Sequence, residues 1–309
     1  MDLNSKIFVA GHKGLVGSSI VRKLQKEGYN KIITRTKEEL NLLDSFSVRN
    51  FFEKERPEYV FLAAAKVGGI LANSSQKGDF IYQNLQIQNN VIHNAYLSGV
   101  KKLLFLGSSC IYPKNCPQPI KEEYLLSGYL EETNDAYAIA KIAGLVMCRS
   151  YNNQYKTNFI SAMPTNLYGY NDNFNLQTSH VLPALMKKFH DAKIYNQKDV
   201  TVWGTGTPLR EFLFVEDLAD ALIFLMNNYN EDIHINVGMG RDISIKDLAY
   251  LIRDIVGFKG DIVFDSTKPD GTPRKLLDVS RLEKAGWKAK TSLEDGIKAT
   301  YQWFLDNQK

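Results

Sequence analysis

The feature that most constrains this chain is a β-rich run, Lys6-Ile7-Phe8-Val9-Ala10, that breaks into Gly11-His12-Lys13-Gly14-Leu15-Val16-Gly17 and then into a helical stretch ending near Gly28. Strand, glycine loop and helix in that order open a nucleotide-binding βα unit. Glycines there permit a tight turn and a close approach of backbone to a pyrophosphate, which the helix N-terminus faces with its unpaired amides. The spacing is G-x-x-G-x-x-G rather than G-x-G-x-x-G. The whole loop, Gly11 to Gly17, is therefore the first candidate cofactor site.

The same alternation continues downstream. Ile32-Ile33-Thr34 reads as a second strand, and Asp44 opens the next helix as a cap or as an adenine contact. Tyr59–Ala65 is apolar throughout, as a buried parallel strand is, and the small Ala63 and Ala64 let a cofactor lie close. A helix over Asp79–Ser98, a strand over Lys102–Leu106, a helix over Asp135–Tyr155 and a strand over Asn158–Met163 follow. This pattern predicts an α/β fold with a doubly wound, Rossmann-like parallel sheet. Ligands bind such sheets at the carboxyl ends of the strands. Leu106-Gly107-Ser108-Ser109-Cys110 and Pro164-Thr165-Asn166-Leu167 lie at that edge. A site for NAD usually places an acid at the end of the second strand. Here stand Arg35 and Lys37, with Lys13 in the glycine loop, and cations suit a 2′-phosphate. NADP(H) is the expected cofactor.

From Leu167 the pattern loosens. The expected organisation is a nucleotide-binding domain over residues 1–166, with a return at about 212–236, and a smaller α/β substrate domain over 167–309. A helix from near His180 to Asp191 and a strand over Val200–Trp203 belong to the second part. Ser244-Ile245-Lys246-Asp247 and Ser292-Leu293-Glu294-Asp295 resemble capping boxes, with Asp in place of Glu.

Bulk properties narrow the class. A length of 309 residues allows one large or two ordinary domains. The net charge of +4 is scattered, which argues against a nucleic-acid surface. Three cysteines without paired spacing argue against a disulfide framework or a metal site. No signal-peptide pattern opens the chain, and no apolar run approaches the ~18 residues of a membrane span. The expected compartment is the cytoplasm.

The chemistry centres on Tyr137-Ala138-Ile139-Ala140-Lys141. Four-residue spacing on a helix puts Tyr137 and Lys141 on one face. A free phenol has a pKa near ~10, and an adjacent ammonium lowers it, so the pair can exchange a proton with a carbonyl or alcohol oxygen. Ser108, at a strand end, is positioned to hydrogen-bond the same oxygen, with Ser109 as competitor for that role. Cys110 could act as a carbon base near a cofactor and a lysine, or be a small core residue. His180 could supply a proton opposite it. Cys116, Cys148, His12, His93, His190 and His234 read as structural.

Several stretches, in order and spanning nearly the whole chain, resemble the GDP-L-fucose synthase family of the extended short-chain dehydrogenase/reductase superfamily. They are Gly11–Gly17, Ala63-Ala64-Ala65-Lys66-Val67-Gly68-Gly69-Ile70, Gly107-Ser108-Ser109-Cys110-Ile111-Tyr112-Pro113, Tyr137–Lys141, Met163–Gly169, Val202-Trp203-Gly204, Arg210-Glu211-Phe212 and Lys268–Asp278. The resemblance implies 3,5-epimerisation and 4-reduction of a GDP-4-keto-6-deoxymannose-type sugar. By that resemblance Tyr137 is the reductase acid, Lys141 its electrostatic partner and Ser108 the orienting hydroxyl. Cys110 and His180 are the epimerase base and acid, and His180 also meets the cofactor. Lys188, Trp203, Arg210 and Asp270 match nucleotide-sugar contacts, and Lys275 is a further substrate contact. Lys13 and Lys37 stand where arginines are familiar, which keeps charge but loses bidentate geometry. A homodimer joined through the Tyr–Lys helix and its neighbour is also implied. Three other readings stay open: a C4 reductase on a longer GDP-4-keto sugar such as a heptose, a UDP-sugar 4-epimerase holding NAD, which Arg35 disfavours, and a non-catalytic NADP sensor.

Overall fold

The computed structural model describes residues 1–268 and 270–307; Pro269, part of the turn-rich stretch noted above, lies outside them. In chain order the first elements are β1 (Ile7–Ala10), α1 (Leu15–Lys26), β2 (Ile32–Ile33), α2 (Ser45–Glu55), β3 (Tyr59–Leu62), α3 (Ile70–Ser75), α4 (Lys77–Leu97) and β4 (Lys102–Leu106). They continue with α5 (Asp135–Tyr155), β5 (Phe159–Pro164), β6 (Asn166–Tyr168), α6 (Val181–Ile194), β7 (Asp199–Trp203), β8 (Leu209–Phe214) and α7 (Val215–Asn228). The last are β9 (Ile235–Val237), β10 (Asp242–Ser244), α8 (Ile245–Val256), β11 (Asp261–Asp265), β12 (Arg274–Lys275), α9 (Ser280–Lys284) and α10 (Leu293–Asn307).

The main sheet runs β2-β1-β3-β4-β5-β9, every pair parallel. The doubly wound α/β fold expected from the sequence is therefore present. Side chains on a strand alternate between faces, so an unbroken apolar strand feeds two cores. On β1, Phe8 and Ala10 face a core with Val48 and Phe52 of α2, Val91 and Ile92 of α4 and Leu145 of α5. Ile7 and Val9 face the other, with Ile20 and Leu24 of α1 and Leu218 and Leu222 of α7. β4 divides in the same way, with Leu103 and Phe105 on one side and Leu104 and Leu106 on the other.

β3 ends at Leu62, three residues short of the expected run. Ala63 makes one further backbone bond, to Ala10, and the chain then passes over Gly11, where the cofactor loop crowds it. The short helix α3 was not anticipated.

A smaller sheet forms around β8, which pairs antiparallel with β10 and parallel with β12 and β6; β7 and β11 make a separate parallel pair. With α6, α8 and α10 these strands enclose a third core around Tyr168, Phe189, Phe212 and Leu248. Phe212–Phe214 thus lie in the smaller sheet, while α7 and β9 rejoin the first unit. Ser244 and Ser292 each accept the amide of the residue three positions on, and each donates its hydroxyl to that aspartate. The expected N-terminal caps are formed, with the carboxylate turned to the hydroxyl rather than to the cap amide.

Candidate active site

The glycine loop is a cradle that side chains would fill. Gly11 sits at φ +88°, and a Cβ there would stand 2.8 Å from the Ala64 amide nitrogen. At Gly17 a Cβ would meet the Gly11 carbonyl at 2.1 Å, so the first turn of α1 lies directly on the loop. Gly14 is the N-cap of α1, with no side chain over the helix end and no acid in the first turn. That open positive end fits a pyrophosphate. His12 lies in the same loop, and its Nδ1 is buried without a partner.

The cations expected at the ribose end gather there. The Glu38 carboxylate is held below its usual range first by its own backbone amide and Thr36, with Lys13 and Lys37 both adding to the effect. Arg35 is not waiting free. It pairs with Glu55 at 2.6 Å, donates to the Thr34 carbonyl and lies over the Phe51 ring. Asp44 caps α2, its carboxylate accepting from the Phe46 amide and the Ser47 hydroxyl, which does not exclude the adenine contact.

At the strand ends the candidate catalytic residues come together. Lys141 is 4% exposed, donates to the Leu106 carbonyl at 2.7 Å and lies 5.8 Å from the centre of the Tyr137 ring. Gly107 continues β4, with its amide on the Ala162 carbonyl. Ser108 caps the short 3₁₀ turn Ser109–Ile111, its hydroxyl accepting the Cys110 amide, and lies near enough to the Tyr137 phenol to act on it. Ser109 is buried, and of the two serines it is Ser108 that acts on the phenol. Burial pushes Tyr137 above the ordinary phenol value, Cys110 adds to the rise, and the nearby Ser108 hydroxyl opposes it. Burial also pushes Lys141 down to about 7. The adjacent lysine is expected to lower the phenol; in the folded chain burial raises it instead. A phenol that keeps its proton is the state a donor to a ketone requires.

Cys110 is partly exposed beside this set. Its Sγ receives Nδ2 of Asn134 and Nζ of Lys275, each at 3.5 Å. His180 is the N-cap residue of α6, and its side chain makes no hydrogen bond to the helix end. Burial lowers its pKa, and the Lys275 charge lowers it further. Lys275 therefore lies near both. Pro164 ends β5, and Asn166 and Leu167 open β6, where Asn166 donates to the Glu211 carbonyl.

The residues expected to contact a nucleotide gather around the end of β7. Trp203 ends β7 with 62% of its surface open, flanked by Lys188 at 5.9 Å and Lys268 at 5.7 Å from its ring centre. Asp270 is anchored by the Thr205 amide and hydroxyl, and its charge acts on Arg210, whose pKa is lowered mainly by burial. A flat aromatic face, two lysines, an arginine and an aspartate suit a guanosine diphosphate.

A family model, the NAD dependent epimerase/dehydratase family, matches residues 7–238. The chain belongs to that family. Within it, the chain is 58% identical to GDP-L-fucose synthase 1 of Arabidopsis thaliana, over 99% of this chain and 95% of that one. Among solved structures it is similar to a GDP-6-OMe-4-keto-L-xylo-heptose reductase from C. jejuni, 44% identical, TM-score 0.96, covering 100% of this chain and 99% of the other. It is also similar to MlghC, a GDP-mannoheptose C4 reductase from Campylobacter jejuni with NADP bound, 46% identical, TM-score 0.91, covering 99% of each chain.

Two residues that hold this epimerase/dehydratase site together were missed in the sequence. Glu211 is fully buried and accepts the amides of Met239, Gly240 and Leu277, which ties two loops to β8. Its position beside Arg210 in a recognised stretch was the available signal. Asn134, just ahead of α5, carried none, because its contact with Cys110 exists only after folding.

Proposed function

We propose that this chain is an NADPH-dependent GDP-4-keto-6-deoxymannose 3,5-epimerase/4-reductase, a GDP-L-fucose synthase. The observation that carries the reading is the meeting of two proton-transfer sets in one cleft: Cys110 lies close enough to Tyr137 to act on the phenol, and Lys275 acts on both Cys110 and His180. The family relationship and the NADP-bound relative support the cofactor assignment.

In this reading Gly11–Gly17, the α1 N-terminus, Lys13 and Lys37 hold the dinucleotide, with Arg35 exchanging Glu55 for the 2′-phosphate. Ala63, Ala64, Leu106, Gly107, Ser109, Pro164, Asn166 and Leu167 line its path along the strand ends. Lys188, Trp203, Arg210 and Asp270 grip the GDP. A ketone at C4 acidifies the hydrogens at C3 and C5. Cys110 removes each proton and His180 returns one to the opposite face of the substrate enolate. Bound NADPH supplies the hydride for C4. Ser108 orients the C4 oxygen, Tyr137 protonates it, and Lys141 offsets the charge left on the phenol.

The heptose C4 reductases among the solved relatives support a second reading, in which only the last step occurs on a longer sugar. Turnover of a GDP-4-keto-6-deoxymannose with NADPH in D₂O separates the two. Deuterium at C3 and C5 is expected; its absence, with NADPH still oxidised, leaves the reductase alone. We also infer a cytoplasmic homodimer. The free cysteines support the compartment. The exposed Tyr82 on α4 and Ile139 and Val146 on α5 support the assembly.

A further inference from the structure

Lys275 entered as one more substrate contact, yet its amino group is directed at a sulfur. It lies 3.5 Å from Cys110 Sγ, across a separation of 165 residues. Among the described residues it makes no ion pair with a carboxylate. The backbone on both sides of it is anchored. Arg274 and Lys275 pair with Leu209 and Arg210 of β8. The Leu276 amide donates to Gln118, its carbonyl accepts the Ile120 amide, and the Leu277 amide ends on buried Glu211. The lysine is thus delivered to the thiol by a strand of the smaller sheet, pinned to the loop that follows Cys110.

A second donor comes from the other side. Asn134 Nδ2 lies 3.5 Å from the same sulfur, and Asn134 immediately precedes the helix carrying Tyr137 and Lys141. Its Oδ1 is buried without a partner, so the amide is held for what its nitrogen does and for what its oxygen can accept. A cation and an amide N–H converging on one partly open sulfur are the surroundings that favour a thiolate.

We propose that Lys275, with Asn134 as second donor, is the positioning residue that holds Cys110 as a thiolate and so makes Cys110 the carbon base. The proposal rests on the epimerase reading of the site. The thiol proton leaves to water before the reaction. The thiolate then takes the substrate C–H proton and becomes a thiol, and the two C–H electrons pass into the enolate. The imidazolium of His180 gives its proton to the opposite face, which restores the C–H bond and leaves neutral imidazole. Exchange with water resets both groups. Lys275 assists at both ends, because the charge that favours the thiolate disfavours the imidazolium and makes it a readier acid.

The test reads the thiol directly. Alkylation of Cys110 by iodoacetamide is followed against pH, with the modified peptide identified by mass spectrometry, in the wild type and in Lys275→Met, Lys275→Gln and Lys275→Arg. The midpoint should rise by about one pH unit or more in the two neutral variants and return towards wild type in Lys275→Arg. In D₂O the neutral variants should lose roughly tenfold or more in deuterium incorporation at pH 7, recovering as the pH is raised. Asn134→Ala should move the midpoint in the same direction by less. An unmoved midpoint in either folded neutral variant overturns the proposal. A shifted midpoint in a protein whose wild type incorporates no deuterium keeps the Lys275–Cys110 pairing and defeats the epimerase reading instead.

Discussion

At the scale of single residues, burial decides the proton inventory. Burial raises the Tyr137 phenol and brings the Lys141 ammonium down to about 7, where α5, β4 and the Ser108 turn meet. Removing the phenolic oxygen should leave the cleft intact and remove the proton donor. Tyr137→Phe is expected to lower NADPH oxidation with the 4-keto sugar by about 10²–10⁴-fold. Deuterium exchange at C3 and C5 should persist, since Cys110 and His180 are untouched. Loss of exchange together with reduction would place Tyr137 in both steps. Away from the cleft, Asp172 carries a cost of the same origin. One carboxylate oxygen is buried without a partner, and burial raises its pKa to about 7. The folded chain therefore holds this proton up to about pH 7, whereas an unfolded chain releases it near ~4. Stability should fall as pH rises between those values, with the full penalty present above 7. Asp172→Asn is expected to stabilise by on the order of 2 kcal/mol at pH 8 and to have little effect near pH 4. An equal change in melting temperature at both pH values would contradict this origin.

At the scale of elements, buried polar groups join pieces that apolar packing alone would leave free to slide. Lys102 of β4 is buried, and its amino group donates to the carbonyls of Leu225, Met226 and Tyr229 and to Asn230. A strand lysine thereby closes the C-terminal end of α7, where helix carbonyls lack partners and the dipole favours a cation. Burial pulls its pKa to about 8. Lys102→Met keeps the stem and leaves the carbonyls unpaired, so it should destabilise by about 2–4 kcal/mol, measured by urea unfolding. A loss below ~0.5 kcal/mol would show that water replaces the ammonium there. Tyr112, His234, Asn236 and Glu122 form a comparable buried chain of bonds, which fixes the loop after Cys110 to β9.

At the scale of the whole molecule, the cleft draws residues from both sheets. Tyr137, Lys141, Ser108 and Cys110 come from the nucleotide-binding side, and His180, Arg210 and Lys275 from the smaller one. The same α4–α5 pair that carries the catalytic helix exposes Tyr82, Ile139 and Val146 on its outer face. For the homodimer proposed above, the double variant Ile139→Glu, Val146→Glu is expected to leave a monomer by light scattering, because an interface tolerates no unpaired buried charge. An unchanged molar mass would move the interface elsewhere.

The residue order determined the βα alternation, the α5 helix, the core strand β4 and the glycine cradle, because each rests on neighbours within one or two turns of chain. It also brought forward most of the cleft, since Tyr137 and Lys141 share a helix face and Ser108 and Cys110 share a strand end. Only the tertiary structure decided what those groups are worth. The rise of the phenol, the pairing of Arg35 with Glu55, the burial of Glu211 among three loop amides and the approach of Lys275 to Cys110 join distant segments. Electrostatic strength depends on the solvent that folding excludes, and no local pattern of residues reports how much water will be left.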